Sequence, residues 1–194
     1  VILETGAGNS TITFLLARPR ELISIAKDDI IFERINKFIK ENNINSEPLT
    51  QITERSEWAL PELAKSGLKI DLALIDGGHG WPTVFVDFCY IYYMLNENGC
   101  VIIDDVQLHS IKELARLIYA DRERFDLVSD LGKALIFKKK TDEKFLPEWA
   151  DEPYLKSQTD VYISSSEPNS LGKIKPISFV KKLKRKIRKI VKLL

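Results

Sequence analysis

Three carboxylates and an imidazole have the types and spacing to do chemistry. Asp76 and His79 stand in Asp76-Gly77-Gly78-His79, directly after the apolar run Leu72–Ile75, and Asp104-Asp105 directly follows Cys100–Ile103. Short apolar runs that end in acids read as buried strands delivering polar side chains to one edge of a sheet. Carboxylate oxygens suit a hard divalent cation such as Mg²⁺, and a cation beside a substrate hydroxyl lowers its pKa and orients it. Without a cation, close carboxylates repel and raise one another's pKa. Two readings stay open. Asp76, Asp104 and Asp105 are metal ligands, or Asp105 caps the next segment while Asp104 faces solvent. An imidazole titrates near pH ~6.5 and suits general-base work, so His79 is a catalytic candidate together with Asp76. Its alternative is a hydrogen bond to a loop backbone, and for His109, which precedes a helix, the structural role is favoured.

A second candidate is Glu4-Thr5-Gly6-Ala7-Gly8-Asn9-Ser10-Thr11, which follows the apolar Val1–Leu3 and opens a helical pattern. Glycines permit a tight turn and close approach of the backbone to a ligand. A dinucleotide fingerprint would place a third glycine where Thr11 stands, and an acid ahead of the first glycine does not fit it. A nicotinamide oxidoreductase is therefore disfavoured. No phosphate-loop Lys follows, which argues against a nucleoside triphosphatase. The alternative is a plain tight turn of an α/β domain.

Strands are expected at Val1–Glu4, Leu22–Ile25, Leu49–Thr53, Ile70–Ile75, Cys100–Ile103, Phe125–Ser129 and Ala134–Lys138. Helices are expected at Ser10–Ala17 with Asn9 or Ser10 as N-cap, Ile30–Glu41, Glu57–Lys65, Val84–Leu95 and Ile111–Glu123. In the second of these helices Ile31, Ile35, Phe38 and Ile39 share a face. Alternating strands and helices predict a mostly parallel sheet covered on both faces, with ligands at the carboxyl ends of the strands. The candidate residues all fall at those ends. Tyr90, Tyr92 and Tyr93 fit core packing; Trp81, in a loop, is the better candidate to touch a substrate.

Asp71-Leu72-Ala73-Leu74-Ile75-Asp76-Gly77-Gly78-His79 followed by Asn98-Gly99-Cys100-Val101-Ile102-Ile103-Asp104-Asp105 resembles the pattern of small-molecule O-methyltransferases. The macrocin-type sugar O-methyltransferases of class I are nearest in pattern. The resemblance covers residues 1–138 and implies a Rossmann-like class I methyltransferase fold: α/β, a seven-stranded mostly parallel sheet with an antiparallel edge strand, and helices on both faces. It implies S-adenosyl-L-methionine as cofactor. Glu4, Gly6, Ala7, Gly8 and Asn9 would surround its methionine part, Ser56 and Glu57 would lie near adenine, and Asp76 would close the site. Family members carry an acid at the end of the second strand to grip the ribose. Ala26 stands there in this chain, with Asp28 or Asp29 as substitutes. The implied activity is methylation of a small hydroxylated acceptor such as a sugar, assisted by Mg²⁺ at Asp76, Asp104 and Asp105. The rival is a non-catalytic binding domain of the same fold.

Charge divides the chain. All 28 acidic residues and 19 of the 29 basic ones lie at or before Glu167; the other ten basic residues follow it with no acid. The expected organisation is a cofactor-binding domain at 1–140, an irregular covering segment at 141–176 that Trp149 and Tyr154 could pin to the body, and a basic amphipathic helix at 177–194. In that last segment Phe179, Val180, Leu183, Ile187, Ile190, Val191 and Leu194 form a helical stripe among eight cations. Such a helix suits an anionic membrane surface, at ~1 kcal/mol per cation. Its interleaved Ile and Leu favour lipid or a protein groove over nucleic acid. Packing on the domain or on a second subunit of a homo-oligomer is the alternative. Cys89 and Cys100 read as buried free thiols of a reducing compartment, and no apolar run reaches the ~18 residues of a membrane span. A cytoplasmic protein, peripheral on the inner face of a membrane, is expected. Because the chain opens on a strand without Met, an earlier natural start is also expected. Deleting 177–194 should abolish co-sedimentation with anionic vesicles while leaving the melting temperature unchanged. The binding should weaken with salt as the Debye length falls from ~10 Å at 0.1 M to ~3 Å at 1 M. A lowered melting temperature in the truncated protein would instead show a helix docked on the domain.

Overall fold

A computed structural model describes residues 1–148 and 151–154; Trp149 and the basic segment 177–194 lie outside the described residues. The elements alternate as β1 (Ile2–Thr5), α1 (Asn9–Leu16), β2 (Leu22–Ala26), α2 (Asp29–Glu41), β3 (Leu49–Thr53), α3 (Ser56–Lys65), β4 (Ile70–Ile75), α4 (Thr83–Met94), β5 (Leu95–Ile103), α5 (His109–Ala120), β6 (Phe125–Asp130) and β7 (Leu135–Lys139). They form one seven-stranded sheet in the order β3-β2-β1-β4-β5-β7-β6. The first five strands in that order are parallel, and the hairpin β6–β7 supplies the antiparallel edge. Within the hairpin, β7 pairs with β5 and β6 takes the outer position. Gly132 turns it at φ 81°, and Asp130 Oδ1 accepts from the Gly132 N–H at 2.8 Å.

Near-continuous apolar strands such as Leu22-Ile23-Ser24-Ile25-Ala26, buried throughout, require cover on both faces. α1 and α2 supply Leu15, Phe32, Ile35 and Ile39 to one apolar cluster with Leu22 and Ala26. α3, α4 and α5 close a larger one over the central strands, where Leu60, Val84, Ile91, Leu114 and Ile118 meet Leu3, Ala73 and Val101. α2 buries Phe32, Ile35 and Ile39. The face is thus rotated from the expected one, and Phe38 is 47 % exposed. Cys89 and Cys100 are free thiols but only half-buried, and Cys89 Sγ donates to Tyr93 Oη at 3.1 Å.

The parallel register puts the strand ends level. Thr5 pairs with Ile25 on one side and Ile75 on the other, and Ile75 with Ile103. The ladder continues one residue further. Gly6 N donates to Ile25 O at 2.9 Å, Asp76 N to Thr5 O at 2.9 Å, Asp104 N to Ile75 O at 3.2 Å, and Glu54 N to Ala26 O at 3.0 Å. The first loop residue after β1, β3, β4 and β5 is therefore held by the neighbouring strand.

Most boundaries shift by one or two residues, and α5 runs from His109 to Ala120 instead of Ile111 to Glu123; two of the shifts have evident physical reasons. α1 takes Gly8 as N-cap, because Asn9 and Ser10 are already helical and the Ser10 hydroxyl turns back to Glu4. β5 begins at Leu95, with a register irregularity between Ile70 and Leu72 that accommodates Asn96–Gly99. Gly99 is obligatory there, since a Cβ would lie 2.7 Å from Leu95 Cδ1 and 2.9 Å from Asn96 O. After β7 the described residues 140–148 run without a strand or α-helix, and helical backbone begins at Pro153 and Tyr154. Tyr154 returns to the body and donates to Glu113 Oε2 on α5 at 2.7 Å. No helix among the described residues is long and apolar enough to cross a membrane.

Lys139 ends β7 at 2 % exposure. Its ammonium donates to Tyr92 O at 3.1 Å and Leu95 O at 3.0 Å, satisfying carbonyls at the C-terminus of α4, and lies 4.0 Å over the Tyr92 ring. Desolvation pushes its pKa down to about 8. The folded state then gives up this proton more readily than the unfolded chain, so the contribution of Lys139 to stability rises as pH climbs from about 8 toward the unfolded value of ~10.4. Urea denaturation at pH 7.5 and pH 10 should show wild type gaining on Lys139→Met by on the order of 2 kcal/mol. An unchanged difference would mean that Lys139 folds with an ordinary pKa.

Candidate active site

Glu4 is fully buried at the end of β1. Its Oε1 accepts from the Ser24 hydroxyl at 2.6 Å and from the Thr11 hydroxyl, and its Oε2 accepts from Ser10 Oγ at 2.6 Å. Thr11 Oγ1 also accepts from the Gly8 N–H at 3.0 Å. One carboxylate thus ties β1, β2 and the first turn of α1 and closes the glycine turn between them. Burial raises the Glu4 carboxyl above the usual carboxylate range, and the three hydroxyls oppose that shift. Gly6, at φ 88°, lies so close to the β4 loop that a Cβ would come 2.2 Å from Asp76 O.

The turn opens onto a cleft of about 320 Å³ at the carboxyl ends of the strands, within the size range of small-ligand sites. Gly6, Ala7, Ala26, Ser56, Glu57 and Asp76 line it, with Lys27, Glu54 and Arg55 on the β2 and β3 side. Glu4 lies beneath this surface and supports it. Gly8 and Asn9 line an adjoining groove between α1 and α2. Asp28 caps α2, accepting from the Ile30 N–H at 3.3 Å, and is not among the lining residues. Glu57 Oε1 accepts from Thr83 Oγ1 at 2.6 Å, which joins α3 to α4 and is the first cause holding the Glu57 carboxyl below the usual range.

At the β4 and β5 ends the side chains converge differently from the expected trio. Asp76, His79 and Asp105 each offer a ligand atom within 4.8 Å of the others. His79 Nε2 lies 3.5 Å from Asp76 Oδ1 and 3.4 Å from Asp105 Oδ2, with all three side chains about one-third exposed. Asp104 is not one of that group. It stands near enough that its charge, after burial, pushes the Asp76 carboxyl upward, while His79 pulls it down. Asp105 adopts φ 53°, a left-handed conformation that Asp tolerates better than most residues. Its backbone carbonyl receives the Leu108 N–H at 2.9 Å. The Ser110 hydroxyl of α5 donates to the His79 carbonyl and fixes that loop. His109 is an exposed residue of the first turn of α5. Trp81 is 74 % exposed and forms an edge-to-face pair with Phe85, at 5.1 Å between centroids, whereas Tyr92 is core.

Sequence reasoning missed Asp87, Thr83, Arg55 and Glu54. Asp87 had a signal: it is the single acid in the otherwise apolar and uncharged α4. Fully buried, its carboxyl is pushed up to about 6 by desolvation, against which the Ser56 and Thr5 hydroxyls act. Glu54 and Arg55 carry no local signal in the sequence, and it is the pairing of β3 with β2 that puts them on the cleft.

A family model described as "Methyltransferase domain" matches residues 3–106, just over half of the chain and nearly all of the site. The chain belongs to that methyltransferase family. No curated protein matches it. Among solved structures, this methyltransferase is similar to the O-methyltransferase TomG of Streptomyces achromogenes, involved in tomaymycin synthesis and solved with S-adenosylmethionine. The TM-score is 0.60 at 19 % identity, covering 72 % of each chain. It is also similar to the MycE methyltransferase of mycinamycin biosynthesis, solved with Mg, S-adenosylhomocysteine and mycinamycin VI. There the TM-score is 0.56 at 15 % identity, covering 81 % of this chain and 50 % of that one. An rRNA methylase of Streptococcus thermophilus shares the fold at TM-score 0.56 and 15 % identity, covering 72 % and 86 %. At these identities the likeness is one of fold. Family membership does not favour the rival reading of a non-catalytic binding domain.

Proposed function

We propose that this methyltransferase binds S-adenosyl-L-methionine in the glycine-turn cleft and methylates a hydroxyl of a small polyhydroxylated acceptor, a sugar or a sugar-bearing molecule, as macrocin-type enzymes do. The observation that carries the reading is the Asp76–His79–Asp105 cluster, which meets the cleft at Asp76. Bound there, the cofactor supplies an electrophilic methyl group. The chain must align an oxygen with it and dispose of that oxygen's proton, and alignment accounts for most of the rate in such a displacement. Gly6, Ala7 and Asp76 line the part of the cleft suited to the amino-acid end of the cofactor, and Ser56 and Glu57 the part suited to its base. Exposed Trp81 offers a flat apolar face to the acceptor. TomG, an O-methyltransferase involved in tomaymycin synthesis, and MycE, solved with mycinamycin VI, are other proteins in which this fold serves small-molecule acceptors. The segment 177–194 is proposed to hold the enzyme on an anionic surface.

The same three groups can deal with the proton in two ways. His79 Nε2 can accept it, and the flanking Asp76 and Asp105 carboxylates would hold the resulting imidazolium. A divalent cation held by Asp76, His79 and Asp105, with Asp104 beside them, would instead supply Lewis acidity. The two carboxylates fit Mg²⁺ or Mn²⁺, while the imidazole, a ligand of transition metals rather than of Mg²⁺, tilts the set toward Mn²⁺. We favour the cation because it would also relieve the repulsion among Asp76, Asp104 and Asp105.

Calorimetry on the full chain should show S-adenosylhomocysteine binding that Ala7→Trp, which fills the cleft, abolishes. A folded protein that gives no heat would remove the cofactor reading. With a glycoside acceptor that supports turnover, EDTA should cut the rate at least tenfold and Mg²⁺ or Mn²⁺ restore it, the restoration being lost in Asp105→Ala. Turnover unchanged by EDTA would assign the proton to His79 alone.

A further inference from the structure

Nucleotide-binding α/β sheets grip a ribose with an acid at the end of the second strand, about 20 residues beyond the glycine turn. Twenty residues beyond Gly6 stands Ala26, which has no polar side chain and is 6 % exposed. The acids that follow it are directed elsewhere. Asp28 is engaged as the N-cap of α2, Asp29 lies in the first turn of that helix, and neither lines the cleft. The carboxylate that does line it on this side comes from the next strand. Glu54 is the first residue beyond β3, it is exposed, and its backbone N–H donates to Ala26 O at 3.0 Å. Its main chain is therefore fixed beside the position where β2 would have carried the acid.

We infer that Glu54 is the ribose-binding residue of this enzyme, the carboxylate having moved from β2 to β3. Three features make the move physically sound. Adjacent strands lie ~4.8 Å apart, a displacement that the longer Glu side chain can reach across and an Asp would not. Ala26 puts no more than a methyl group at the position where β2 would have carried the acid. Glu54 Oε1 accepts from the Arg55 N–H at 2.7 Å, which orients the carboxylate while its remaining lone pairs stay available. The neighbouring Arg55 guanidinium is drawn to Glu57 at 3.9 Å rather than to Glu54. The inference rests on the proposed cofactor and deepens it by assigning the ribose contact.

The test compares two ligands on the full chain by calorimetry, S-adenosylhomocysteine and its 2′,3′-dideoxy counterpart. Hydrogen bonds to a charged group predict that Glu54→Ala weakens S-adenosylhomocysteine about tenfold or more, yet leaves the dideoxy ligand as in wild type. Adding Ala26→Asp to Glu54→Ala, which returns the acid to β2, should restore most of the lost affinity for the hydroxylated ligand alone. Unchanged S-adenosylhomocysteine affinity in Glu54→Ala overturns the assignment, as does an equal loss for both ligands, which would mark a general effect of charge or shape. A folded wild type that binds neither ligand would fail at the level of the cofactor itself, a result distinct from any pattern among the variants.

Discussion

The whole site hangs on one buried carboxylate. Glu4 is fully buried and receives three hydroxyls, from Ser10, Thr11 and Ser24. A charge in such a place is tolerated only when its lone pairs are met. Because the partners come from α1 and from β2, meeting them fixes where the helix starts and how the turn between Thr5 and Asn9 runs. Gly6 is then pressed against the Asp76 carbonyl so closely that no side chain fits. Glu4 thus shapes the ligand surface without belonging to it.

Around that anchor the parallel register does the positioning. Strand ends lie level, and the ladder extends one residue into each of four loops. Residues separated by tens of positions, from Gly6 to Glu54 to Asp76 to Asp104, therefore share one rim. Loops held by strand hydrogen bonds at their first residue offer a more defined surface than free loops. Below the rim Asp87 on α4 is fully buried without a hydrogen-bond partner for either oxygen among the described residues, and desolvation pushes its carboxyl up to about 6.

The electrostatics of the rim are divided. Toward β4 and β5 two carboxylates, Asp76 and Asp105, flank one imidazole, and the rise of the Asp76 carboxyl reflects burial first and then the charge of Asp104. Toward β2 and β3 acids alternate with Lys27 and Arg55. One half thus gathers carboxylates beside an imidazole and the other mixes charges of both signs. This asymmetry is what the proposed function draws on, with a nucleoside at one end and a hydroxyl at the other.

Much of this was written locally. Apolar runs bounded by glycine and acids made the strands legible, and the turn Glu4–Asn9 and the motif Asp76–His79 announced the edge where chemistry would gather, because strand and turn signals act over a few residues. What depends on distant residues meeting was not legible. The sequence suggested Asp76, Asp104 and Asp105 as a trio, but the left-handed backbone of Asp105 and the Ser110 hydroxyl holding the His79 loop bring His79 into the group with Asp76 and Asp105. It pointed to Asp28 as a replacement for the acid missing at Ala26, but helix capping engages that carboxylate. Glu54 reads as a plain surface charge until β3 lies against β2. The residues capable of chemistry were fixed by the sequence itself, whereas their partners were decided by strand pairing and capping, which are properties of the folded sheet.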